Sequence, residues 1–247
     1  MQVSVLSLFP EIVEFNLNQS ILAKAKAKGV FNLQTVQIRD FAINSYGQVD
    51  DAVYGGGTGI LLRPEPIYDA YLHLTANWSS ERLKHAKRYY LSPKGKRFDQ
   101  KLAKEWSEEE DLIFLCGHYE GVDYRVLEEL DFTEVSLGDF ILTGGESAVS
   151  VMLEATLRLI PGVLPNNEAH EAESFSSGLL EEKQYTRPEI WHDKQVAHEL
   201  ISGNQAKIKQ WRYESALLET LQKRPDLLAE VLLDENAWLQ LLSHIDN

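Results

Sequence analysis

Cysteine is nearly absent: the one present, Cys116, excludes an intrachain disulfide and fits a reducing cytosol. Long apolar runs are missing too, since no stretch comes near the ~20 residues that a membrane helix needs. The first apolar run, Val3 to Phe9, has no basic residue ahead of it and ends at Pro10-Glu11, so a soluble, unexported, cytoplasmic chain with no membrane contact is expected. The seven histidines form no HExxH or comparable cluster, and no metal ligands are assigned. Basic residues are scarce: 24 Lys and Arg stand against 38 Asp and Glu, a formal charge of −14. That balance argues against a protein that coats nucleic acid by bulk electrostatics, although a local basic patch stays compatible with it. Two phosphate-binding signatures are also missing, the GxxxxGK(S/T) loop and a GxGxxG that opens a helix. An ATPase or a dinucleotide oxidoreductase is disfavoured.

What is present reads as a globular chain. An apolar share of 44% over 247 residues supports a real core. Short apolar runs at Val3 to Phe9, Phe31 to Val36, Arg88 to Leu91, Leu112 to Cys116 and Thr133 to Val135 predict strands. Helix-like segments lie between them: one opened by Pro10-Glu11, one over Ser20 to Lys28 and one over Tyr124 to Leu130. Strands alternating with helices predict an α/β domain with a mostly parallel sheet. After Pro161-Gly162 the texture becomes polar and acidic, which reads as a linker. From Asp193 onward the pattern predicts only helices, with Ile208, Trp211, Leu218 and Leu221 along one face and Pro225 opening a new helix. The expected boundaries are a domain over 1–164, a linker over 165–179 and a smaller all-helical domain over 180–247.

Three glycine clusters stand out: Tyr54 to Gly59, Gly117-His118-Tyr119-Glu120-Gly121, and Gly138 to Glu146. Glycine lets the backbone approach a ligand closely, so clusters that follow strands suggest a ligand held by main-chain groups; any one alone is as readily a set of tight turns.

The strings carry more than their glycine content. Ser7-Leu8-Phe9-Pro10-Glu11, Val49-Asp50-Asp51 running into Tyr54-Gly55-Gly56-Gly57, Tyr90-Leu91-Ser92-Pro93, the Gly117 to Asp123 segment, Ser136 to Glu146, Ile160-Pro161-Gly162-Val163-Leu164 and Gln184-Tyr185-Thr186-Arg187-Pro188 resemble, in order, the bacterial tRNA (guanine-N1) methyltransferase family. The similarity continues to Trp211-Arg212 and to Lys223-Arg224-Pro225-Asp226-Leu227-Leu228. The resemblance implies a SPOUT-type domain whose C-terminal part is threaded into a trefoil knot, an exception to the rule that chains do not thread loops. It implies S-adenosylmethionine held by Tyr90, Leu91, Ser92 and Pro93, by Gly117, Tyr119, Glu120 and Gly121, and by Leu137, Gly138, Asp139, Phe140, Ile141, Leu142, Gly144 and Gly145. Leu137, Phe140 and Leu142 are the expected apolar walls for the adenine.

The implied reaction moves a methyl group to N1 of guanosine 37, next to the anticodon. That nitrogen must lose its proton while negative charge spreads toward O6, so a carboxylate and a cation are needed. By resemblance these are Glu173, in Glu173-Ser174-Phe175, and Arg158, ahead of Ile160-Pro161-Gly162. The family has aspartate where this chain has Glu173. The two intrinsic pKa values differ by only about 0.4, so base strength is nearly kept and the change is one of reach. Other departures are Thr58 in the first glycine cluster, Ser45-Tyr46 where the family has Lys-His, and Tyr124 where an acidic residue is common. The implied partners are the tRNA anticodon stem-loop and a second copy of the chain. Lys183, Arg187, Lys207, Lys209, Arg212, Lys223 and Arg224 would supply cations for phosphates. A magnesium dependence is implied as well, without a ligand cluster to locate it; Glu120 is a candidate ligand.

Overall fold

The computed structural model describes residues 1–56, 59–166 and 173–245. The chain divides into two compact units, Met1–Asn167 and Glu168–Asn247. The first unit runs β1 (Gln2–Ser7), α1 (Pro10–Leu17), α2 (Ser20–Ala27), β2 (Asn32–Gln37), β3 (Asp50–Ala52), β4 (Ile60–Leu62), α3 (Pro64–Thr75) and α4 (Ser80–His85). It continues with β5 (Lys87–Arg97), α5 (Gln100–Ser107), β6 (Asp111–Leu115), α6 (Tyr124–Glu129), β7 (Thr133–Ser136) and α7 (Glu146–Leu157).

Five strands form one sheet in the order β2-β1-β6-β5-β7, and every pairing in it is parallel. Successive side chains of a strand face opposite sides, so a sheet buried on both faces needs continuous apolar runs rather than alternation. β6 supplies one: Leu112, Phe114 and Cys116 join one core cluster with Val13, Leu17, Trp106 and Met152, while Ile113 and Leu115 join another with Ile67, Tyr71 and Val126. Helices α1, α5 and α7 cover the first face, and α3 and α6 the second. The five apolar runs read from the sequence are the five strands of this sheet.

One strand is longer than expected. β5 continues past Leu91 to Arg97, and its pairing with β7 shifts register between Leu91 and Lys96. Pro93, Gly95 and three cations interrupt the apolar pattern there, so the extension carries no hydrophobic signal. Gly95 is required: a Cβ on it would lie 2.3 Å from the backbone of Glu134 and Val135.

The second unit contains β8 (Ile190–Trp191), β9 (Lys194–Gln195), α8 (His198–Ile201), α9 (Gln205–Lys223), α10 (Pro225–Leu228) and α11 (Glu235–Ile245). The expectation of an all-helical region over 180–247 is corrected by the β8–β9 hairpin. Its two-residue turn places His192 and Asp193 at φ 48° and 62°, as a type I′ turn requires, without the glycine that usually announces one. Residues 173–189 are irregular, the regular elements after the hairpin are helices, and α10 starts at Pro225 as expected. Its core is Leu179, Leu217, Leu228, Ala237 and Leu241. On α9 the buried positions are Ser215, Leu217, Glu219 and Thr220, whereas the predicted stripe of Ile208, Trp211, Leu218 and Leu221 is half-buried. Thr220 and Ser215 are inside because their hydroxyls accept hydrogen bonds from the backbone N–H of Leu180 and Lys183, at 2.9 and 3.1 Å.

Among the described residues of this unit Glu219 is the buried carboxylate, paired with Lys183 at 3.2 Å and with Lys223 one turn on. The hydrogen bond from Lys223 is the main reason its pKa lies below the ordinary glutamate value. A depressed carboxylate stabilises the fold above its unfolded pKa and ceases to do so as pH falls through the folded one. Both ammonium groups are more than half exposed, which limits the effect. Glu219→Gln should therefore lower stability by about 1 kcal/mol at neutral pH, with a smaller deficit in acid where the wild-type carboxyl is itself protonated. Thermal melts at pH 7 and pH 3 check this: a deficit that does not shrink in acid would rule out the ion pairs as its cause.

Candidate functional site

Open parallel sheets place ligands beyond the carboxyl ends of their strands. Here the irregular middle of β5, at its register shift, and the segments at the ends of β6 and β7 enclose a cavity of about 250 Å³. Its wall includes Tyr90 to Pro93 from the first, Gly117 to Gly121 from the second and Val135 to Gly138 with Phe140 to Gly145 from the third. Every cofactor residue expected from the sequence lies on it except Asp139, whose side chain is 88% exposed with its carboxylate 4.0 Å from Arg97. His118, Thr143, Val135, Ser136 and Ala148 are also on the wall and were not expected. His118 stands inside the Gly-His-Tyr-Glu-Gly string, and that string was the available signal. Phe140, Ile141 and Leu142 remain 54%, 80% and 43% exposed, apolar surface at the cavity that a bound ring or another chain can cover.

Main-chain bonds lock these segments together. Gly145 N–H donates to Gly117 C=O at 3.1 Å, and His118 and Gly144 form an isolated antiparallel bridge. β4 fixes the outer side of the middle loop: Glu120 N–H donates to Ile60 C=O and Leu62 N–H to Gly121 C=O. Tyr119, between them, takes a left-handed φ of 60°.

Under the cavity lies a buried carboxylate. Glu146, the first residue of α7, is 2% exposed. Ser7 Oγ–H donates to its Oε1, and its Oε2 is 2.8 Å from His118 Nε2. Ser7 Oγ in turn accepts from Phe9 N–H at 2.8 Å, and the Phe9 ring packs on His118 at 4.9 Å between centroids. A buried carboxylate requires partners of this kind, and the helix N-terminus adds to its stabilisation. The network joins the end of β1, the loop after β6 and the start of α7.

Two neighbouring groups stay protonated. Burial, with the nearby Glu134 charge, pushes the Tyr90 phenol up to about 12. Burial and then the Glu146 charge hold the Cys116 thiol well above its ordinary value, so it is no nucleophile at neutral pH. No group of three metal-binding side chains exists among the described residues, and Glu120 instead packs against Gly59.

The expected catalytic pair is divided between the units. Arg158 is the half-buried C-cap of α7 in the first, and Glu173 is half-buried at the start of the described part of the second. Glu173 C=O accepts from Ser176 N–H at 3.1 Å, which begins a tight turn. Thr58 and the linker acids Glu168 and Glu171 lie outside the described residues. Of the expected RNA-facing cations, Lys183 and Lys223 share Glu219, Arg212 faces Glu182 at 3.3 Å and Arg224 pairs with Asp226. Arg187 and Arg212 line a second cavity, of about 680 Å³, beside Tyr185 and Trp211, whose rings are 6.0 Å apart.

Comparison with known proteins gives one answer. The family model described as tRNA (Guanine-1)-methyltransferase TrmD matches residues 1–230. A tRNA (guanine-N(1)-)-methyltransferase of Exiguobacterium sibiricum is 50% identical with all of both chains covered. The proteins of that name from Staphylococcus epidermidis and Alkaliphilus oremlandii are 46% and 44% identical, covering 95% and 98% of this chain and 94% and 97% of their own. The cavity enclosed by these three segments is therefore that of a chain belonging to the tRNA (guanine-N1)-methyltransferase family.

Proposed function

We propose that this enzyme transfers a methyl group from S-adenosylmethionine to N1 of guanosine 37 in tRNA. The observation that carries the reading is the convergence of the middle of β5 and the segments at the ends of β6 and β7 on one cavity in a chain of this family. Membership implies S-adenosylmethionine as donor. The residues present suit it: a small cavity, close to the low end of the ~300–1,000 Å³ usual for such ligands, with apolar Phe140 and Leu142 beside turns that offer main-chain groups. When bound, the cofactor supplies an electrophilic methyl carbon. In this reading Tyr90 to Pro93, Gly117 to Gly121 and Leu137 to Gly145 hold it, and the segments form the threaded trefoil knot of the SPOUT domain.

The chain's own task is to make N1 nucleophilic. Glu173 takes the N1 proton, and the Arg158 guanidinium stabilises the negative charge that grows toward O6. Tyr185, Trp211 and the cations of the second unit meet the anticodon stem-loop, where unstacked bases can be extracted and read. The domain bounds proposed are 1–164, a linker over 165–179 and a tRNA-binding domain over 180–247. A cytoplasmic homodimer completes the reading, with each site joining one copy's cofactor cavity to the other's linker. The exposure of Ile12, Phe15 and Val151 on the packed helices α1 and α7 supports a covered face there.

Labelled S-adenosylmethionine and an unmodified tRNA transcript test the activity: methyl should enter a transcript with guanosine at position 37 and not one with adenosine there. Equal incorporation into both would refute the position. Mixing the separately inactive Glu173→Gln and Gly144→Val proteins should restore part of the rate through hybrid sites. A fully active monomer in sedimentation would contradict the shared site.

A further inference from the structure

The Ser7–Glu146–His118 network ties the end of β1 to the loop after β6 and the start of α7, and it buries a carboxylate directly behind the cofactor wall. Its polarity has a direction. Ser7 Oγ accepts from Phe9 N–H, so its own proton goes to Glu146 Oε1. With that carboxylate ionised, Oε2 can only accept, and His118 must present Nε2–H to it. A neutral imidazole that carries its proton on Nε2 has a lone pair on Nδ1. Nδ1 makes no hydrogen bond among the described residues, and it is not one of the buried unpartnered polar atoms, so it meets open space. His118 lines the cavity, with a side chain 15% exposed. The Phe9 ring at 4.9 Å and the backbone bridge to Gly144 restrict its rotation.

We infer that His118 Nδ1 is a hydrogen-bond acceptor for the cofactor, and that Glu146 is a positioning residue that fixes the tautomer providing it. The recognised group is an N–H or O–H donor of S-adenosylmethionine, its ammonium or a ribose hydroxyl; the inference rests on the cofactor assignment proposed above. Ser7 acts one step further back, by saturating the other carboxylate oxygen.

Two substitutions of the same residue separate the roles. Glutamine at 118 can keep a donor at the Nε2 position for Glu146 but has nothing at the Nδ1 position, whereas asparagine does the reverse. His118→Gln should therefore keep its melting temperature and bind S-adenosylmethionine about five- to tenfold more weakly by calorimetry, the worth of one ordinary hydrogen bond. His118→Asn should melt lower and lose less affinity than His118→Gln. In Glu146→Gln the amide can donate to Nε2, which moves the ring proton to Nδ1 and removes the acceptor. Ring-nitrogen NMR, with the His118 signal identified by its absence in His118→Gln, should show Nε2–H in the wild type and Nδ1–H in Glu146→Gln. Unchanged affinity in a folded His118→Gln overturns the contact, and an Nδ1–H or doubly protonated ring in the wild type overturns the tautomer. No binding of S-adenosylmethionine to the wild-type chain would instead sink the cofactor assignment, so the two failures are distinguishable.

Discussion

Glu173→Gln is expected to lower the single-turnover rate of methyl transfer by on the order of 10²–10⁴ while leaving cofactor affinity nearly unchanged. The amide keeps the size and hydrogen-bonding capacity of the carboxyl group and removes its ability to take a proton. The backbone around it is fixed: Ser176 N–H donates to Glu173 C=O, Phe175 N–H donates to Leu179 C=O with Phe175 at φ 75°, and Ser174 Oγ accepts from Glu181 N–H. A left-handed phenylalanine persists only where its surroundings hold it, so the side chain at 173 projects from a set origin and its length decides where the carboxylate arrives. Glu173→Asp should consequently be active but no faster than the wild type, because a misplacement of about an ångström can itself be costly. Glu171→Gln, a nearby acid of the same stretch, is the control and should be almost silent. Rates on a guanosine-37 transcript decide it. If Glu173→Gln retains near-full turnover, the base lies elsewhere.

The centre of the sheet was legible because β1 and β6 are buried on both faces and so spell nearly continuous apolar runs, as at Leu112 to Cys116. Elements stabilised by other means were not. β3 and β4 are three residues each, and β3 begins with two aspartates, so neither has a periodic signal. The β8–β9 turn uses His192 and Asp193 at positive φ in place of asparagine and glycine. On α9 the inward face carries Ser215, Glu219 and Thr220, polar residues that are buried because each finds a partner, and an apolar-stripe reading passes over them. The segments that line the cavity were legible as strings, since close packing of backbone restricts residue type. The carboxylate behind them was not, because Ser7 and Glu146 stand 139 positions apart in the chain and only the packing of α7 over the sheet brings it to the end of β1.

Gly144→Val is expected to cost at least about 100-fold in S-adenosylmethionine affinity, and the reason is local geometry. A Cβ built on Gly144 would lie 2.4 Å from His118 Cε1 and Nε2 and 2.6 Å from Glu146 Oε2, distances that real Cβ atoms do not tolerate. The loop has little room to retreat. Gly145 N–H is tied to Gly117 C=O at 3.1 Å, and position 145 itself lies against Cys116, whose Cα would be 2.9 Å from a Cβ there. The imidazole must therefore leave the carboxylate, or the 137–145 wall must move into the cavity. In the first case Glu146 loses a hydrogen-bond donor while still buried, which costs about 1–3 kcal/mol and lowers the melting temperature. In the second the cavity itself closes. Gly144→Ala removes the branch but keeps the clash at Cβ, so affinity should fall in the order Gly, Ala, Val. Calorimetry with S-adenosylmethionine on variants shown to be folded by their melts checks the series, and the alanine protein keeps the test open if the valine one fails to fold. Wild-type affinity in a folded Gly144→Ala or Gly144→Val protein would mean that the cofactor does not depend on this wall, and the assignment of the 137–145 segment to it would have to be withdrawn.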